Sequence, residues 1–62
     1  MDKPKCKLLG RDGNIFSLVG IASQTLKSNY MIDKADEMTN RVFEAGSYDE
    51  ALQIIMEYVE VE

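Results

Sequence analysis

The run Leu8-Leu9-Gly10-Arg11-Asp12-Gly13-Asn14-Ile15-Phe16-Ser17-Leu18-Val19-Gly20 passes from a β-compatible segment through a tight turn into a capped helix, and it constrains the fold more than any other part of the chain. Pro4 opens the extended segment and Gly10 closes it, so a strand is expected over residues 5–9. Asp12-Gly13 is a turn dipeptide, because Asp bonds its own backbone and Gly accepts positive φ. Asn14 is among the strongest N-cap residues, its side-chain oxygen accepting from amides two and three positions on, with Asp12 as the alternative cap. Helix one is predicted from about Ile15 to Lys27. Ile15, Leu18, Val19, Ala22 and Leu26 share one face, and Phe16 and Ile21 widen it toward all-round burial. Ser28-Asn29 ends the helix, Asn29 being tolerant of the left-handed conformation. Gly20 costs roughly 1 kcal/mol against Ala inside a helix, so a close packing approach is expected there.

Helix two is predicted from Ile32 or Asp33, with Ala35, Met38, Val42 and Ala45 on its apolar face and Gly46 as its stop. Asp33, Asp36 and Glu37 fall in its first turns, where the helix dipole favours anions. Ser47-Tyr48-Asp49-Glu50 fits a capping box, in which the Ser hydroxyl reaches the N3 amide and the Glu carboxylate returns to the cap amide. Helix three then carries Tyr48, Ala51, Leu52, Ile55 and Val59 as one stripe, with Ile54 and Met56 at its margins. After about Glu57 the period changes. Tyr58-Val59-Glu60-Val61-Glu62 alternates, as a half-buried strand does.

A terminal strand needs a neighbour, and residues 5–9 are the available one. Lys5 and Lys7 place cations where Glu60 and Glu62 place anions, each such pair contributing about 0.2–1 kcal/mol. The expected architecture is therefore α+β over a single small domain, residues 1–62: three helices packed on a small two-stranded sheet made from the N- and C-terminal segments, in the order β-α-α-α-β. Parallel and antiparallel pairings both remain open. A frayed or helical C-terminus is the alternative.

The chain is 62 residues long. A chain of that size buries only about 60% of the surface its unfolded form exposes, so its core is small and either close packing or a partner subunit must support it. A single cysteine, Cys6, makes no internal disulfide, and nothing near Met1 resembles a signal peptide; a cytoplasmic location is expected. The most apolar stretch, Ile15 to Ala22, is far shorter than the ~20 residues of a membrane span. The net charge of −4 conceals an asymmetry, since from Glu44 onward there are six carboxylates and no Lys or Arg. That acidity argues against nucleic acid, whose affinity comes from neutralised phosphates.

Histidine is absent, which removes the usual general base and the Ser-His and Cys-His arrangements. Cys6 between Lys5 and Lys7 has a setting that lowers thiol pKa values, but a packed structural thiol is the expected role. Gly10, Gly13 and Gly20 match neither the dinucleotide nor the P-loop spacing. Asp12-Gly13-Asn14 echoes part of a calcium loop without its acidic positions or closing Glu. Asp33 and Glu37 stand one turn apart and are expected to be a solvated helix start, with Glu37 paired to Arg41. The second and third helices resemble a helix-turn-helix in outline, but the would-be recognition helix carries Asp49, Glu50 and Glu57 and no cation. Met31, Met38, Met56, Tyr30, Phe43, Tyr48 and Tyr58 fit either a core or a plastic contact surface, and most are expected in the core.

No catalytic, cofactor or metal residues are therefore assigned. The leading expectation is a non-enzymatic accessory or protein-interaction module with an unidentified protein partner. A structural homodimer without ligand is one alternative, and a weak nucleic-acid binder using Lys3, Lys5, Lys7 and Arg11 is another.

The motif Leu9-Gly10-x-Asp12-Gly13-Asn14-x-Phe16-x-Leu18-x-Gly20, followed by Leu26-Lys27 and by Gly46-Ser47-Tyr48-Asp49-x-Ala51-Leu52, resembles a group of small uncharacterised bacterial proteins often carried on phage, plasmid or other mobile elements. The resemblance covers almost the whole chain. It implies a stand-alone bacterial protein and assigns no functional residues. Asn29-Tyr30 departs from the Ala-Gly of that group at the end of helix one.

Overall fold

Asn14 holds an extended backbone, φ −69° and ψ 123°, and its Oδ1 accepts the Phe16 amide at 2.8 Å. The first helix, α1 (Ile15–Ser28), starts there as the turn chemistry requires. The computed structural model describes residues 3–8 and 13–62. Gly10 as strand end, Asp12 as alternative cap and Arg11 as part of a basic patch lie outside the described residues. The other elements are β1 (Lys5–Cys6), α2 (Ile32–Phe43), α3 (Tyr48–Tyr58) and β2 (Glu60–Val61), giving the order β-α-α-α-β. The fold is α+β, three helices packed with a small two-stranded sheet of the N- and C-terminal segments.

The sheet is parallel, with Lys5 opposite Glu60 and Cys6 opposite Val61. Regular strand is shorter than the expected 5–9, but the ladder reaches further. Glu60 donates to the Pro4 carbonyl at 2.8 Å, Glu62 donates to Cys6 at 2.9 Å, and the Leu8 amide donates to Glu62 at 2.9 Å. Pro4 needs only its carbonyl here, so its missing N–H costs nothing. The three helices form the crossover that a parallel pair demands. Lys5 and Glu60 are register partners on the exposed face, yet no ion pair joins them among the described residues.

One core draws on every element. α1 supplies Leu18, Val19, Ala22 and Leu26; α2 supplies Ala35, Met38 and Val42; α3 supplies Ala51, Ile54, Ile55 and Tyr58. Cys6, Leu8 and Val59 close it from the sheet side. Among the described residues no helix is long and apolar enough to cross a membrane.

Four local expectations are corrected. First, α1 is not buried all round: Phe16 is 65% exposed, and Gly20 faces outward with no described neighbour within 4 Å of an added Cβ. Among the described residues nothing meets Gly20 closely, so the close packing approach expected there is not made by them. Gly20→Ala should therefore stabilise the fold by about 1 kcal/mol, a rise of roughly 4–8 °C in melting temperature. A lowered melting temperature would show a hidden contact.

Second, the left-handed residue at the end of α1 is Tyr30, with φ 62°, and not Asn29. The Tyr30 amide donates to Lys27 at 3.1 Å and the Met31 amide to Leu26 at 2.9 Å, the paired bonds of a Schellman turn. Met31, the residue after the turn, packs against the core to which Leu26 belongs. Relief of left-handed strain, about 1–2 kcal/mol, exceeds the added unfolded-state entropy of glycine. Tyr30→Gly is expected to stabilise by about 0.5–1 kcal/mol in urea unfolding.

Third, α2 ends at Phe43 with Glu44 as its cap residue, ahead of Gly46. The capping box of α3 is modified accordingly. Ser47 Oγ accepts the Glu50 amide at 3.1 Å, whereas the Glu50 carboxylate takes the Gly46 amide at 2.6 Å. Fourth, the buried face of α3 is rotated from the expected stripe toward Ile54 and Tyr58, the side that faces α2. Tyr48 and Met56 are left 45% and 48% exposed.

Candidate functional site

The residues with the richest polar chemistry tie α2 to α3. Arg41 meets Glu57 through two parallel bonds of 2.9 and 3.0 Å, donates to the Tyr58 hydroxyl at 3.0 Å, and lies 5.6 Å from the centre of the Tyr58 ring. The Tyr58 hydroxyl donates to the Glu37 carboxylate. The expected Glu37–Arg41 pair within α2 is thus replaced. Packing α3 against α2 offers the guanidinium a bidentate carboxylate, a better match to its planar fork. Glu37 keeps a 4.0 Å pairing with Lys34.

Electrostatics in this network follow from the contacts. The Glu57 and Tyr58 hydrogen bonds push the Arg41 guanidinium further into its charged range. Burial, then the Glu37 hydrogen bond, raises the Tyr58 phenol above its ordinary value. The Arg41 hydrogen bond holds Glu57 below the ordinary 4.5. A carboxylate with a depressed folded-state pKa stabilises above its unfolded value and loses that contribution as pH falls through the folded one. Glu57→Gln should therefore flatten the decline of stability below pH 4.5, followed by thermal melts across that range. An unchanged acid limb would place the acid sensitivity elsewhere. The network binds one helix to another.

Other sequence candidates also resolve into structure. Cys6 is 2% exposed and accepts from the Thr25 hydroxyl at 3.4 Å, a packed thiol as expected. Lys3 Nζ donates to the Met56 carbonyl at 2.9 Å, a cation at the end of α3 where the dipole favours it. Lys5 and Lys7 are exposed beside the carboxylate-bearing edge of β2. Asp33 is exposed in the first turn of α2.

The expectation that most aromatics and methionines lie in the core is overturned. Met38 and Tyr58 are buried, but Tyr30, Phe43, Tyr48 and Met56 stand exposed. Phe16 and Phe43 touch across the start of α1 and the end of α2, ring centres 5.9 Å apart. With Ile15, Val42, Tyr48 and Ala51 they line a groove of about 290 Å³. Tyr48 also belongs to a second depression of about 330 Å³ with Leu18, Leu52, Met56 and Val61. The two form one apolar face running from the Phe pair along α3. Phe16 and Phe43 alone leave on the order of 250 Å² of side chain in water, approaching the ~300–600 Å² of the largest patch on a typical monomer.

Part of this face was legible in the sequence. Each helical residue turns about 100°, so Phe43 falls well off the stripe of Ala35, Met38 and Val42. Tyr48, Leu52 and Met56 are four apart and form their own row. Their exposure depends on which side of α3 meets α2. A larger depression on the outer face of α1, about 640 Å³, is lined by Ser17, Gly20, Gln24 and Ser28 and offers neither charge nor aromatic anchor. No protein-family model, curated protein or solved structure matches this chain.

Proposed function

We propose that the chain is a non-enzymatic protein-interaction module of bacterial, mobile-element origin that works in the cytoplasm by docking another protein on the Phe16–Phe43–Tyr48 face. The exposed Phe16–Phe43 pair carries the reading. Two phenylalanines in contact, each more than half exposed, leave apolar area in water that a partner would cover, and aromatic residues are the usual anchors of such contacts. Tyr48 adds an apolar ring with a polar tip, suited to the edge of a contact.

The alternatives fit less well. A nucleic-acid surface made of Lys3, Lys5, Lys7 and Arg11 loses Lys3 to the Met56 carbonyl and sets Lys5 against Glu60. A homodimer closed symmetrically on the apolar face sets residues 42–51, which carry three carboxylates and no Lys or Arg, into the same interface twice. The test is a photoreactive phenylalanine analogue at position 43 in cells that naturally produce the chain, with a control at exposed Ser28. A single discrete crosslinked protein from position 43, lost on Phe16→Ser and absent from position 28, is expected. Equal crosslinking from both positions, or none from either, would refute docking at this face.

A further inference from the structure

Apart from the apolar face, we propose that the outer edge of β1 takes an added strand: an extended acidic segment of another protein, antiparallel to β1, its carboxylates set opposite Lys5 and Lys7. Backbone geometry supplies the first argument. The backbone groups of this segment that bond residues 60–62 belong to Pro4, Cys6 and Leu8. Bonding direction alternates along a strand, so Lys5 and Lys7 turn their N–H and C=O to the other edge, where no described residue bonds them. An antiparallel partner residue exchanges both bonds with the residue opposite. A strand laid on this edge therefore meets Lys5 and Lys7 with alternate residues, the main-chain recognition by which extended peptides join a sheet.

The sheet itself is short of strands. Parallel sheets ordinarily have both faces covered, and two strands alone are marginal. This pair is parallel and leaves Lys5, Lys7, Glu60 and Glu62 exposed. Charge then chooses the occupant. The Lys5 and Lys7 side chains take part in no ion pair among the described residues. Opposite charges directly across a strand pair stabilise it and like charges destabilise it. A second copy pairing two-fold through its own β1, centred on Cys6, sets Lys5 against Lys7 and is repelled. Pairing β1 of one copy with β2 of the next matches Lys with Glu but joins copies head to tail, in an array that does not close. An acidic strand from another protein satisfies both the edge and its lysines without either fault.

The test uses synthetic peptides of about six residues, titrated into the isotopically labelled chain and followed by NMR. One alternates Glu with Val; a second has Lys in place of Glu. Two more keep the Glu-Val sequence with methylated backbone nitrogens, at the Glu residues in one and at the Val residues in the other. The Glu peptide should bind about tenfold more tightly than the Lys peptide, because two attractive cross-strand pairs become repulsive. It should shift the Lys5 and Lys7 amides and slow their exchange with solvent, while the Leu8 amide, already bonded to Glu62, changes little. Methylation at Glu, whose N–H faces β1, should abolish binding; methylation at Val, whose N–H faces away, should leave it. Lys5→Gln with Lys7→Gln, both exposed positions, should bring the Glu and Lys peptides within about twofold. Phe43→Ser should leave the binding unchanged.

Equal binding of the Glu and Lys peptides, equal binding of the two methylated forms, shifts that bypass Lys5 and Lys7, or no binding at all would each overturn the proposal. Loss of the peptide on Phe43→Ser would move its site to the apolar face and overturn it too. So would sedimentation showing copies of the chain joined in a way that Lys5→Gln with Lys7→Gln releases, since the edge is then taken by a second copy. The crosslink from position 43 reports on the apolar face alone, so either reading can fail without the other.

Discussion

Ile55→Ala is expected to destabilise the chain by about 3–4 kcal/mol and to leave much of it unfolded at 37 °C. Ile55 is 0% exposed, on the α3 face that meets the rest of the core. Removing most of its side chain sacrifices the transfer energy of the lost methylenes and leaves a cavity that a helix held by neighbours on two sides closes only partly. The proportion matters more than the absolute cost. A domain of 62 residues has a total stability of roughly 3–9 kcal/mol. Ile55→Val, which removes one methyl, should cost only about 1 kcal/mol. Urea unfolding followed by circular dichroism distinguishes the two. Equal midpoints for Ile55→Ala and the unaltered chain would mean that α3 does not pack by this face.

Tyr58→Ala should cost about 3–5 kcal/mol, and Tyr58→Phe about 1 kcal/mol. The difference separates two roles of one residue. The ring is 8% exposed and fills the seam between α2 and α3, with Arg41 lying over it. The hydroxyl only links Glu37 to Arg41, and both partners lie near water that replaces it. If Tyr58→Phe matched the alanine variant in a thermal melt, the hydroxyl network and not the ring would be holding the helices together. Arg41→Lys at the same seam keeps the charge but loses the two-pronged Glu57 contact, so it is not a neutral exchange.

Local chemistry was legible wherever a short stretch carries its own hydrogen-bond partners. Asn14 capping α1 and Ser47 capping α3 follow from residues within three positions of each cap. Helix faces were legible to within about one residue's rotation, enough to place Leu18, Leu26, Met38 and Ile55 inside. What failed were decisions between neighbours on one helix. Periodicity gives the width of an apolar face and not its bearing, so Phe16, Tyr48 and Met56 looked as buried as Ile54. The bearing is set by the partner helix.

Arg41 shows the same limit for charge. Within α2 its nearest carboxylate in sequence is Glu37, one turn away, and that pairing is what spacing alone favours. Folding brings Glu57 to it instead. Tyr30 is a subtler case. Asn29 is the better left-handed residue by type, yet the Schellman turn counts back to Leu26 and Lys27, so geometry assigns the strained position to tyrosine.

The sequence by itself determined three helices, the N-caps of the first and third, two short terminal strands, and the burial of one apolar residue per turn on each helix, because hydrogen bonding and side-chain period act over a few residues. Strand direction was beyond it. Lys5 and Lys7 can face Glu60 and Glu62 in either order with equal charge complementarity, so only the path of the intervening helices made the pair parallel. The Phe16–Phe43 face was likewise a tertiary decision. Its two rings come from separate helices and meet only when α1 and α2 pack, and nothing in the order of residues makes them neighbours.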